Sequence, residues 1–268
     1  MKFLFSEIAL FQAVFLRSII TVPPVLLMVW VTKVTLRNLA KQDIRLIWLR
    51  VGAEICTTVA FLTALKYMPL ANVTAILQAL PLAVTMAAAL FLAEPIGWRR
   101  WSAILVGFVG VLIVVRPGLD GFNVYSLSAL AAIIFITVRE IATRKLAQEV
   151  PTITVVLSTA IGSAVFAGIM MVGAEWHAVS TSSWWLLIGA AFAVLIATLL
   201  SVMAMRTGEI GFVSPFRYTS MIGAIGLGIL MFGEWPDQPT LAGTLIIVIT
   251  GIYTFHREQK ISRGVTAT

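Results

Sequence analysis

The chain has 268 residues, of which 60% are hydrophobic and only 12% charged, with a mean hydropathy of +1.00. A soluble domain carries roughly a quarter charged residues, so composition excludes a soluble globular fold and points to a bilayer. The net charge of +7 does not indicate a nucleic-acid partner, because the charges sit in short clusters between long uncharged runs.

A membrane-crossing helix needs about 20 mostly apolar residues. Nine runs meet that need, at about 4–32, 47–66, 70–93, 99–116, 124–146, 152–174, 184–205, 210–232 and 240–256. A β-barrel would show ten-residue alternating strands, and the continuous run LLIGAAFAVLIATLL (186–200) excludes it. The expected fold is an all-α polytopic membrane protein.

The first run carries Arg17 midway and lacks the charged start and small-residue cleavage site of a secretory signal. The second holds Arg50, Glu54 and Cys56; the lone cysteine reads as a small buried hydrophobe. The third carries Thr74, Gln78, Pro81 and Thr85 at helical spacing, and Glu94 follows it. The fifth includes Arg139 and Glu140. The eighth opens on FVSPFRYTS, which puts Ser214, Pro215, Arg217 and Tyr218 into an apolar stretch whose Gly223, Gly226 and Gly228 suggest close helix packing.

Letting the nine segments alternate sides places thirteen Lys and Arg residues on one face, from Lys33 and Arg37 to Arg257 and Arg263. Lys2, Lys66 and Arg116 fall on the other. That asymmetry makes the first face cytoplasmic and puts the C-terminus there. Most tryptophans, including Trp48, Trp98, Trp185 and Trp235, lie near segment ends, where headgroups anchor them. The N-terminus then lies outside, and the chain reads as one whose first helix is absent, through a start placed at an internal Met or through truncation.

A shift of 140 residues lays LANVTAILQALPLAVTMAAALFLAEPIGW (70–98) over IGFVSPFRYTSMIGAIGLGILMFGEWPDQ (210–238), with Glu94 meeting Glu234. Under the charge-derived topology those two glutamates lie on opposite faces. The repeat is therefore inverted, an arrangement typical of secondary transporters. It divides the chain into a first repeat at 1–118 without its first helix, a second repeat at 119–257, and a cytoplasmic tail at 258–268.

The stretch LKYMPLANVTAILQALPLAVTMAAALFLAEPIGWRRWSAILVGFVGVLIVVRPG (65–118) resembles the EamA group of the drug/metabolite transporter superfamily. The resemblance rests on the Y-x-P-L-A turn (67–71), the EPIGWRRW turn (94–101) and GFVGVLIVVRP (107–117), repeated more loosely by FGEWPDQPTLAG (232–243). It implies ten helices in two inverted five-helix bundles and a central pathway; this chain supplies nine.

Ionisable groups within spans cost about 2.5–3.5 kcal/mol each at the bilayer centre and rarely face lipid. The candidate substrate-binding residues are therefore Arg217, Tyr218, Ser214, Thr74, Gln78, Arg17, Glu54 and Arg139. For Arg217 and Arg139 the alternative is snorkelling to the headgroups. Glu54 either balances Arg50 one turn earlier or carries a proton or other cation, and Arg17 either pairs with Glu54 or lines the pathway. Glu94 and Glu234 read as solvated turn residues. The two histidines lie in or beside loops and no HExxH or paired-acid cluster appears, so neither an enzyme's catalytic set nor a metal site nor a cofactor is expected. The expected function is secondary transport of a small polar, anionic or zwitterionic metabolite across an inner membrane. The expected partners are that small molecule, the lipid bilayer, a proton as coupling ion and a second copy in a homodimer; a channel or an integral-membrane enzyme is the rival.

Overall fold

A computed structural model describes residues 2–33, 39–92, 97–118, 122–207 and 219–265. Every regular element among them is helical. A 3-10 turn at Lys2–Ser6 precedes α1 (Leu10–Thr32), α2 (Lys41–Tyr67), α3 (Leu70–Leu77), α4 (Leu80–Phe91) and α5 (Trp98–Val115). Then come α6 (Ser126–Arg144), α7 (Thr152–Met170), α8 (Thr181–Thr207), α9 (Thr219–Phe232) and α10 (Gln238–Val265). Seven spans are long and apolar enough to cross a membrane, with α3 and α4 together forming one; α9 and the apolar part of α10 are shorter. The chain is a multi-pass helical membrane protein.

The third run is not one straight helix. Pro81 has no N–H for the carbonyl four residues back, and the helix breaks at Gln78–Ala79. There the Ala79 N–H turns to the Ile76 carbonyl at 3.1 Å, a tighter 3-10 bond. The predicted stripe of Thr74, Gln78 and Thr85 is therefore split between α3 and α4. Shifting by 140 residues carries 41–67 onto 181–207 and 98–115 onto 238–255, so α2 and α8 match end for end and α5 matches the first part of α10.

The helices gather into two compact units, Met1–Thr58 with Val138–Thr207 and Val59–Thr137 with Gly208–Thr268. These units interleave along the chain rather than following its halves.

In the first unit α1 packs on α7 and α8. Phe11 meets Phe166, and Phe15 meets Trp176, both edge to face with centroids 6.2 and 6.3 Å apart. Gln12 is fully buried; its Nε2 donates to the His177 carbonyl at 2.6 Å and its Oε1 accepts the His177 N–H at 3.1 Å, tying α1 to the loop before α8. The same loop delivers Ser180 and Ser183 to the Glu7 carboxylate at the start of α8. Donation by Ser183 and Ser180 holds that carboxyl below the usual range. At the other end of α8, Arg206 donates to the carbonyls of Ala147 and Gln148 at 3.0 and 2.9 Å, and to that of Val150. Asp43 accepts the Ala147 N–H at 3.1 Å, so the α6–α7 loop is held from two helices. Cys56, expected to be buried, is exposed instead.

In the second unit α5 crosses α10 at its closest approach. A Cβ on Gly110 would lie 2.8 Å from the Gly243 carbonyl oxygen, and one on Gly243 would lie 2.6 Å from that of Gly110. The expected packing role of Gly223 and Gly226 does not hold among the described residues, where a Cβ at either meets nothing within 4 Å. Arg116 ends α5 in the left-handed region at φ 52°, a conformation costing a non-glycine residue about 1–2 kcal/mol. Its guanidinium is paired there with Asp237. Asp237 also caps α10, accepting the Thr240 N–H at 3.1 Å. Partial burial works against its charge, yet bonds from Thr240 and Arg116 keep its carboxyl below the ordinary aspartate value. Glu234, expected to be a solvated turn residue, instead accepts the Leu70 N–H at 2.9 Å, satisfying an orphan donor at the start of α3. Glu94 lies outside the described residues.

Gly243→Val is expected to lose about 2 kcal/mol or more, because two backbones in contact cannot yield to a side chain. Thermal unfolding of the purified protein measures this; an unchanged midpoint refutes the close crossing. Since the folded-state pKa of Asp237 is depressed, its support for α10 is complete above about pH 4 and disappears as pH falls through the lower folded value. Amide exchange at Thr240 and Leu241, corrected for its intrinsic rate, should rise below that point, and Asp237→Ala, which removes the acceptor, should show the raised exchange at every pH.

Candidate functional site

Ionisable side chains of α1, α2 and α6 converge inside the first unit. On α2, Arg50 and Glu54 are one turn apart; on α6, Arg139, Glu140 and Thr143 share the following turn. Arg139 divides its guanidinium between two carboxylates: Nη1 donates to Glu54 Oε2 at 2.6 Å, and Nη2 lies 3.6 Å from Glu140 Oε1. Both members of the closer pair are mostly buried, with side chains 18% and 13% exposed. Arg50 is 2% exposed and finds neutral partners: its Nε donates to Thr143 Oγ1 at 2.9 Å, and Nη1 donates to Thr159 Oγ1. Each threonine hydroxyl passes its own proton to the carbonyl one turn back, Arg139 and Val155, both at 2.7 Å. Their lone pairs are left for the guanidinium.

Arg17 completes the group from α1. With Ser18, Thr21, Glu54, Thr159, Ser163 and Thr198 it lines a cavity of about 30 Å³. That holds roughly two waters, whereas a whole metabolite needs on the order of 300 Å³ or more. The space beside Arg17 therefore has room for an end group only.

Three of the residues expected at the site, Arg17, Glu54 and Arg139, come together here. Arg139 does not snorkel; it is fixed by Glu54. Arg50 bonds to threonines and Arg139 bonds directly to Glu54, while the Glu54 charge still attracts Arg50 as the i, i+4 spacing suggests. Thr74 and Gln78 lie in the other unit. Thr74 spends its hydroxyl on the Leu70 carbonyl at 2.8 Å, and Gln78 Nε2 donates to Ser220 Oγ at 3.4 Å, where α3 packs directly on α9. Ser214, Arg217 and Tyr218 lie outside the described residues. The roles of Thr143, Thr159, Ser163 and Thr198 were missed; Thr159 and Ser163 stand one turn apart on α7, among the hydroxyls Thr152, Thr154 and Ser158, which is the signal that could have found them.

A family model described as the EamA-like transporter family matches residues 1–116 and 124–255, nearly the whole chain in two copies. The chain belongs to the EamA-like transporter family. It is 30% identical over 217 residues to a riboflavin transporter of Vibrio cholerae serotype O1, covering 80% of this chain and 72% of that one. To an S-adenosylmethionine uptake transporter of Rickettsia conorii it is 26% identical, over 73% of this chain and 66% of the relative. A pseudopaline exporter, CntI, of Pseudomonas aeruginosa is 25% identical over 80% of this chain and 76% of its own. The chain thus spans about two thirds to three quarters of these relatives' lengths. A solved crystal structure shares the fold at a TM-score of 0.68, with 19% identity over 91% of this chain and 88% of that one.

Glu54→Gln and Arg139→Gln, each of which strands a buried charge, are expected to cost about 3–5 kcal/mol apiece. The double variant should lose much less than the sum of the two single losses. Unfolding free energies in a double-mutant cycle measure the coupling, and strict additivity would show that the pair does not interact.

Proposed function

We propose that this EamA-family chain is a secondary transporter that moves a small polar, anionic or zwitterionic metabolite across the inner membrane. Transport runs by alternating access between two inverted repeats, 1–118 and 119–257, with the C-terminal tail at 258–268 cytoplasmic. The observation that carries this reading is the cluster of Arg17, Arg50, Glu54, Arg139 and Glu140 buried among helices that cross a membrane. Charges at such depth face the bundle interior and mark a substrate or ion route. The interrupted α3–α4 helix adds support, since broken helices are a habit of inverted-repeat transporters. The relatives' names supply transport in both directions and cargo as different as riboflavin and S-adenosylmethionine. They favour transport as such over any one substrate. Glu54 is the proton carrier in this reading, and Thr74, Gln78, Ser214, Arg217 and Tyr218 are further substrate-binding residues.

Comparing metabolites in cells with and without the gene selects a cargo, and its uptake into proteoliposomes tests the function directly. No flux of any selected metabolite would end the reading. Arg217→Ala should lower that flux by about tenfold or more, the worth of one charge-assisted hydrogen bond, while membrane levels stay normal. Undiminished transport would remove Arg217 from the route.

A further inference from the structure

The charges in the first unit do not balance. At the buried centre, among the described residues, the three guanidiniums of Arg17, Arg50 and Arg139 face the two carboxylates of Glu54 and Glu140, and both carboxylates pair directly with Arg139. Arg50 is satisfied by threonine hydroxyls. Arg17, only 9% exposed, makes no side-chain hydrogen bond or ion pair with any described residue, and it lines the cavity of about 30 Å³. Glu54 attracts Arg17 from beyond bonding distance, yet the buried centre keeps one positive charge in excess, which is unfavourable at that depth, so the arrangement is completed by one negative charge arriving at Arg17.

We propose that this cavity is the seat of a carboxylate: the substrate inserts a singly charged carboxylate end between Arg17 and the hydroxyls of Ser18, Ser163 and Thr198. The proposal rests on the transporter reading above and narrows its substrate to one presenting such an end group. The two-water volume suits the two oxygens of a carboxylate and excludes the rest of the molecule, which stays outside the cavity. The three hydroxyls donate to no described residue, so their protons are available to the incoming oxygens. The planar fork of a guanidinium meets a carboxylate with two parallel bonds. A dianion would reverse the local charge rather than cancel it. An ammonium end is disfavoured, since the Glu54 carboxylate beside it is already engaged at 2.6 Å.

Acetate is the smallest probe of this seat. With the full-length chain in lipid nanodiscs at constant ionic strength, acetate should raise the unfolding temperature saturably. Acetamide, methylammonium and chloride should not. Arg17→Gln should weaken the acetate response about tenfold or more. Should that variant not fold, Ala160→Leu fills the same cavity from α7 with Arg17 intact, and it should abolish the response. No acetate effect, an equal effect of chloride, or a response that survives in every folded variant overturns the proposal. Proteoliposome flux separates the two readings. A metabolite that moves without competition from acetate removes the carboxylate seat alone, whereas acetate binding without any transported metabolite removes the transporter reading alone.

Discussion

The Arg139 guanidinium, set between Glu54 and Glu140, is the contact on which the first unit turns. In a bilayer, apolar side chains gain little by leaving lipid for a neighbouring helix, so association depends on close packing and polar contacts. A guanidinium at that depth needs carboxylates, and those carboxylates come from two different helices. The pairing thereby sets how α2 and α6 meet. Arg50 extends the constraint to α7 through Thr143 and Thr159, whose hydroxyls relay their protons to their own helices. Arg17 makes no direct bond within this network among the described residues, and it stands beside the small polar cavity.

The second unit is held by different means. Gly110 and Gly243 bring two backbones into contact, and dispersion over that crossing replaces ionic pairing. The ends of its helices are closed by charged side chains reaching across: Asp237 caps α10 and neutralises Arg116, while Glu234 closes the start of α3. Such caps matter more near a membrane, where an orphan N–H has less water to turn to. One unit thus concentrates charge inside, and the other spends it at the rims.

Much of this was legible from residue order. Long apolar runs, charges between them and the 140-residue repeat anticipated helices whose ends match under that same shift. Charge at Arg17, Glu54 and Arg139 marked the site because ionisable groups inside spans are costly and must face protein. Other readings failed for reasons of partnership. Arg50 and Glu54 look like a helical pair and do attract each other, yet the direct bond to that carboxylate comes from Arg139 on α6. Gly223 and Gly226 look like packing glycines, but the close approach falls at Gly110 and Gly243. Cys56 looks buried and is exposed.

Apolar run length and charge spacing alone determined that this chain is a bundle of membrane helices built from a repeat, because 1.5 Å per residue and the cost of charge in hydrocarbon leave little choice. Which charges meet, which remain unmet and how much room lies beside them were decided only in three dimensions. Partners 85 to 109 positions apart in the chain, such as Glu54 with Arg139 and Arg50 with Thr159, are chosen by helix rotation and crossing. Neither leaves a local pattern in the sequence.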